Sequence, residues 1–201
     1  MKHIPQLILL FFALQGYVPG SCQTMRDSIT TVVMATELGE IQVDLYLQQA
    51  PITTANFLKY VRRAADQGGS FYRTVTMANQ PDKKIKIEVI QGGFTLEGID
   101  SASIQPIPLE RTNHTGVRHK NGTISMARSD PDSGSTEFFI CIGDQPSLDY
   151  GGMRNPDGQG FAAFGTVTTG MDIVQRIQNS PANGQSLTPP VRILSFKEIR
   201  H

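Results

Sequence analysis

From residue 41 to residue 47 the chain alternates without interruption. Ile41, Val43, Leu45 and Leu47 are apolar, and Gln42, Asp44 and Tyr46 lie between them. A period of two sends successive side chains to opposite faces, so this run reads as a strand with one buried face. Val32-Val33-Met34-Ala35-Thr36 precedes it, separated by Glu37-Leu38-Gly39-Glu40. An extended apolar run, a glycine-bearing turn and an alternating run together predict a β-hairpin. An isolated hairpin is marginal in water, so further strands must cover it. The rest of the chain supplies them as short apolar runs broken by Gly, Pro, Asn and Asp, ending in a strand over residues 191–199. Helical signals are few. Pro51 stops the second strand, and Thr53 or Thr54 is placed to cap a helix to Arg63. In it Ala55, Leu58 and Arg62 share one face and Phe57, Tyr60 and Val61 the next. A second helix is predicted over residues 171–178, after Gly170, with Ile173, Val174 and Ile177 inward. Many short strands with two helices are compatible with a sandwich or a closed barrel, and pattern alone does not separate them.

The 201 residues suit one domain, and 39% hydrophobic content suffices for a core. Lys+Arg and Asp+Glu are both 18, so the chain offers no electrostatic ground for nucleic acid or an acidic membrane as partner. Residues 1–22 read as a signal peptide. Met1-Lys2-His3 gives a positive start, LILLFFAL over residues 7–14 is too short to span a bilayer, and Gly16, Gly20, Ser21 and Cys22 supply small residues. Cleavage is expected between Ser21 and Gln23. A lipid on Cys22 is the alternative, although Pro19 fits that signal poorly. Residues 23–30 read as a flexible lead-in, and residues 31–201 as the folded domain. Cys141 lies in an apolar run and is expected to be a buried free thiol rather than part of a disulfide framework.

Along that domain stand Phe71-Tyr72-Arg73, Ile90-Gln91-Gly92-Gly93-Phe94, Gly122-Thr123-Ile124-Ser125-Met126-Ala127-Arg128, Glu137-Phe138-Phe139-Ile140-Cys141, Leu148-Asp149 and Phe161-Ala162-Ala163-Phe164-Gly165. In this order the series resembles the cyclophilin family of peptidyl-prolyl cis/trans isomerases, over roughly residues 30 to 200. The resemblance implies a mainly β fold, a closed eight-stranded antiparallel barrel capped by two helices. It also implies an activity without cofactor or metal: acceleration of X-Pro bond rotation in proline-containing peptides. The wording over residues 86–94 and the stretch over residues 155–165 look more like bacterial secreted members than eukaryotic ones. The expectation is therefore a periplasmic monomer acting on unfolded exported proteins.

The resemblance assigns roles to residues. Arg73 is the implied catalytic residue; a guanidinium stays charged and presents a rigid fork of donors. Gln91 holds the substrate backbone and places the arginine. Phe71, Val89, Ala127, Arg128, Glu137, Phe139, Leu148 and Phe161 are the implied substrate-binding residues. Phe138 and Phe139 are consecutive in a strand, so one ring faces the core and the other the groove. This sequence also departs from the family's pattern. Glu88 and Val89 stand where Phe and Met are usual, Glu137 where Gln is common, and Arg128 where Asn is common. There is no Trp in the chain, and Ser147 occupies the rim position associated with tight cyclosporin binding. Glu88 and Val89 favour a second reading, a non-catalytic proline-peptide binder on the same fold. A third reading is an envelope protein tethered through Cys22.

Other chemistries fail on spacing. Asp130-Pro131-Asp132-Ser133-Gly134 lacks the ligand set of a calcium loop, and His114 and His119 have no accompanying metal framework. No nucleophile elbow or phosphate loop occurs. Two insert-like loops, residues 77–86 and 151–160, remain unassigned.

Overall fold

A computed structural model describes residues 28–199. The segment expected to be a signal peptide, Cys22 and most of the expected lead-in lie outside the described residues.

The hairpin is formed by β1 (Ile29–Thr36) and β2 (Gly39–Tyr46), paired antiparallel with Val32 opposite Val43. Ile29 and Thr30, assigned above to the lead-in, belong to β1 because they pair with Tyr46 and Leu45. The other strands are β3 (Gly69–Val75), β4 (Val89–Phe94), β5 (Thr123–Met126), β6 (Glu137–Cys141), β7 (Ala162–Thr169), β8 (Ala182–Asn183) and β9 (Ser186–Ile199). Their order is β1-β2-β7-β5-β6-β4-β3-β9, and a β1–β9 pairing closes the ring. The result is a closed eight-stranded antiparallel barrel, to which the two-residue β8 adds only a short pairing with the start of β9. Closure removes the unpaired edges that an open sheet would expose. The last strand begins at Ser186, five residues earlier than its apolar pattern, because β3 pairs with that segment through Arg73 and Ser186.

Among the described residues three α-helices accompany the barrel. Helix α1 (Pro51–Arg63) presses Phe57 into an aromatic cluster, with ring centroids 5.3 Å from Phe94, 5.3 Å from Phe138 and 5.2 Å from Phe164. Its start differs from the sequence reading. Ala50 is the cap residue, while Thr53 and Thr54 are buried within the first turn. The free N–H groups of Ile52 and Thr53 donate instead to the Glu110 carboxylate, at 3.1 and 2.7 Å. A carboxylate satisfies those donors and lies at the positive end of the helix dipole. Ala55 and Arg62 are exposed, and Arg62 forks onto Glu198. The single turn α2 (Thr112–Thr115) was not expected; α3 (Met171–Gln178) buries Ile173, Val174 and Ile177 as its spacing dictates.

Two apolar clusters lie on opposite faces of the same strands. The barrel interior holds Val32, Ile41, Phe71, Ile90, Ile124, Phe138, Ile140 and Phe164, among others. Outside the wall, Val75, Ile87, Val89, Phe139, Cys141, Leu148 and Phe161 form a second cluster. The cause is the period of two in β6: Phe138 and Ile140 point inward, Phe139 and Cys141 outward. Cys141 is a buried free thiol, and burial pushes its pKa well above the ordinary value.

Candidate active site

The outer cluster floors an open groove of about 640 Å³, within the usual range for a binding cleft. Arg73, Val89, Gln91, Ala127, Arg128, Glu137, Phe139, Leu148 and Phe161 all line it. Phe71 does not. It is fully buried in the barrel interior, its ring centroid 5.8 Å from that of Phe138.

A bulge in β3 separates Phe71 from Arg73. Residues two apart on a regular strand share a face, yet Phe71 opposes Gly92 and Arg73 opposes the adjacent Gln91. Tyr72 is therefore an extra residue, and it inverts the phase of the strand. Phe71 enters the core while Arg73 turns out into the groove. Gly92 makes this packing feasible, because a Cβ there would lie 2.5 Å from the Ser70 carbonyl oxygen and 2.9 Å from the Phe71 ring.

Three hydrogen bonds fix the guanidinium. Arg73 Nε and Nη2 donate to Gln185 Oε1 at 3.0 and 2.7 Å, and Nη1 donates to Gln91 Oε1 at 2.8 Å. The Gln91 amide turns its other end away: Nε2 donates to Tyr72 Oη at 2.7 Å and to Glu137 Oε2 at 3.0 Å. Tyr72 in turn donates to Glu137 Oε2 at 2.6 Å. Burial first, then the bond to Glu137 and its charge, pushes the Tyr72 hydroxyl far above its ordinary pKa. The hydroxyl therefore stays protonated and keeps donating. Cation, amide, phenol and carboxylate form one polarised chain, which holds Gln91 in a single orientation.

The floor is apolar. Phe139 is 5% exposed and meets Phe161 edge-on, with centroids 5.4 Å apart. Val89 and Leu148 complete it together with Ile87, a lining residue missed from the sequence. The clue was alternation, since Ile87 shares a face with Val89 two positions on. Glu88 between them does not face the groove; its Oε1 accepts from Gln178 Nε2 at 3.4 Å. Glu88, which stands where the family has an aromatic ring, thus points toward α3.

Arg128 is committed to the scaffold rather than free for a ligand. Its Nη1 and Nη2 donate to Asp157 at 2.8 and 2.9 Å, its Nε donates to the Gly160 carbonyl at 2.8 Å, and the guanidinium stacks 5.0 Å from the Phe161 ring centre. Asp157 also accepts from Gln159 N at 2.8 Å, so it serves both the turn and the ion pair. The Ala127 N–H is likewise taken, by the Glu137 carbonyl at 2.9 Å.

A buried triad lies beneath the floor. The ring of His119 stacks on Phe139, 6.0 Å between centres. Its Nδ1 is 2.8 Å from Asp149 Oδ1 and its Nε2 is 2.9 Å from Ser125 Oγ. Burial lowers the imidazole pKa, with Asp149 opposing, so His119 is neutral. An ionised Asp149 can only accept, so Nδ1 carries the hydrogen and Nε2 accepts from Ser125. Ser125 and the His119 side chain are fully buried, so the triad braces the pocket and has no access to a peptide. The sequence reading weighed His119 only as a metal ligand. Among the described residues no group of three His, Cys, Asp or Glu is placed to hold a metal. Nor is any described helix long and apolar enough to cross a membrane.

Fold and groove define a class: a closed antiparallel barrel whose outer wall carries an apolar cleft beside a fixed guanidinium. Residues 31–198 match the family model described as cyclophilin type peptidyl-prolyl cis-trans isomerase/CLD, and the chain belongs to that family. A peptidyl-prolyl cis-trans isomerase of Acinetobacter baylyi is 35% identical over 174 residues, spanning 84% of this chain and 85% of that protein. One from Streptomyces antibioticus is 35% identical over 151 residues, spanning 75% and 84%. Peptidyl-prolyl cis-trans isomerase B of Escherichia coli is 32% identical over 157 residues, spanning 77% and 87%. Among solved structures, a cyclophilin type isomerase of Cryptosporidium parvum superposes with a TM-score of 0.66 at 17% identity, covering 86% of this chain and 99% of that one. At that identity the likeness speaks for the fold alone.

Proposed function

We propose that this protein accelerates X-Pro rotation by presenting Arg73 to the prolyl nitrogen, and that its clients are exported proteins. The observation that carries the mechanism is the immobilised guanidinium beside an apolar floor. The prolyl amide resists rotation by about 18–20 kcal/mol because its C–N bond has double-bond character. At the half-turned stage that character is lost, and the nitrogen gains a lone pair. A donor aimed there binds the twisted peptide better than the planar one, which is catalysis by differential binding.

Each group has a part in that scheme. Phe139, Leu148, Val89, Ile87 and Phe161 grip the proline ring and exclude water. Gln91 and the Ala127–Arg128 backbone, just beyond β5, hold one side of the peptide while the other turns. An acceleration of about 10⁵ requires about 7 kcal/mol of selective stabilisation. One preorganised donor supplies about 3–4 kcal/mol of it, and the water-poor groove the remainder. The neutral ring makes no covalent bond, so neither nucleophile nor cofactor enters. Export and periplasmic residence are supported by the charged, apolar and small-residue order of residues 1–22.

The test is Arg73→Ala in a protease-coupled assay on proline peptides, with peptide affinity measured alongside. Loss of about 10²–10³ in rate with binding retained is expected. Wild-type turnover by the variant would remove Arg73 from the mechanism. Binding by the wild-type protein without any rate enhancement would select the non-catalytic binder instead.

A further inference from the structure

The loop over residues 151–160 carries a second cation, Arg154, into the groove. Its N–H donates to the Ser147 carbonyl at 3.1 Å, and its Nη1 donates to the Ile85 carbonyl at 2.7 Å. Arg154 thereby ties one insert loop to the other, residues 77–86. That loop is itself held from within, since Gln80, 2% exposed, donates to the carbonyls of Thr76 and Ile87, both at 2.7 Å. Two rigid inserts thus present the guanidinium at a fixed place. Nε and Nη2 of Arg154 have no protein acceptor among the described residues, and no carboxylate pairs with it. Burial first, and then the charge of Arg73, depress its pKa.

Charge is unevenly distributed along the cleft. Lys83 also lines it, on the loop that Arg154 grips. Arg128 is neutralised by Asp157. Glu137 is the one carboxylate among the lining residues, and it is bonded to Tyr72 and Gln91. In the β4 register Glu137 stands opposite Gly93, whereas Arg154 is anchored at Ile85, beyond the other end of that strand. One end of the groove therefore holds a satisfied carboxylate and the other holds unpaired cations.

We propose that Arg154, assisted by Lys83, makes this groove selective for peptides with a carboxylate side chain next to the proline, on the side of the ring away from Ala127. This rests on the groove being the proline-peptide site. The free Nε and Nη2 form a donor pair suited to a carboxylate, and walls of low dielectric strengthen the attraction. Preference arises without any change in the residues that grip the ring.

The test uses labelled peptides with Ala, Lys or Glu on either side of proline, read by anisotropy for binding and by a coupled assay for turnover. Wild-type protein is expected to favour the Glu peptide over the Ala peptide by about fivefold, for one flank only. The ratio should collapse near about 1 M salt, where screening is nearly complete. Arg154→Ala should bring it close to one, Arg154→Lys should restore part of it, and Arg154→Glu should favour the Lys peptide. Equal affinity for Ala and Glu peptides, or an unchanged ratio in Arg154→Glu, overturns the inference. Turnover of Ala peptides without acidic preference defeats this inference alone. Acidic preference in binding with no turnover of any peptide defeats the isomerase reading and leaves this one standing.

Discussion

Gln185 does not line the groove yet holds two of the three bonds that fix Arg73, and its removal separates orientation from binding. In Gln185→Leu the side chain keeps nearly the same bulk and loses its oxygen. Nε and Nη2 of Arg73 are then released, and only the Nη1 bond to Gln91 remains. Hydrogen bonds to a charged group are worth about 1.5–3 kcal/mol. Arg73 is only half-buried and both its N–H groups share one acceptor, so the low end applies, about 1.5 kcal/mol. This predicts a fall of about tenfold in kcat. KM should barely change, because the apolar floor is untouched. The turn between β8 and β9 should persist, since the Gln185 carbonyl still accepts from Thr74 N at 2.9 Å. The assay is steady-state isomerisation with an independent peptide Kd and a melting curve. A loss confined to KM, or an unchanged kcat at unchanged Tm, would refute the argument that immobilising Arg73 matters.

Two further outcomes follow from the same geometry. Gly92→Ala would force a methyl to 2.5 Å from the Ser70 carbonyl, a backbone atom that cannot rotate away, so a destabilisation of about 1–3 kcal/mol is expected in urea melts; a neutral result would mean that the bulge tolerates a side chain. His119 gives a pH signature. Its folded pKa is depressed, so below the ordinary value of about 6.5 the unfolded chain takes up a proton that the fold refuses. Stability should be full above that pH and fall below it by up to about 1.4 kcal/mol per pH unit. Burial raises the carboxyl pKa of Asp149, but the bonds from His119 outweigh it and leave the group lowered, so a second loss begins as pH drops through the carboxylate range. In His119→Gln the first window should vanish; a wild-type slope in that variant would assign the titration elsewhere.

The hairpin, α3 and the division of Phe138 from Phe139 were legible because each depends on local periodicity alone. So was the groove's apolar floor, once motif order pointed to it. Phe71 was misplaced for a specific reason. The resemblance grouped it with the substrate-binding residues beside Arg73, and only pairing with β4 reveals that Tyr72 is an extra residue that turns Phe71 inward. The cap of α1 was misread similarly: Thr53 and Thr54 are locally competent, but Glu110 arrives from another part of the chain. Gln185 and Arg154 had no sequence signal. A glutamine before a strand and an arginine in a polar insert look like ordinary surface residues until the fold sets them beside Arg73 and Ile85.

What the sequence determined by itself is which segments are extended and which side chains must leave water, since alternation and turn chemistry act between neighbours. It also carried, in the order of its motifs, the family to which the chain belongs. Closure of the barrel, the phase inversion at Tyr72, the outward turn of Glu88 and the partners of each arginine were decided only in three dimensions. They depend on hydrogen bonds and charges meeting across distant segments, and register between strands is set by the packed whole rather than by any strand alone.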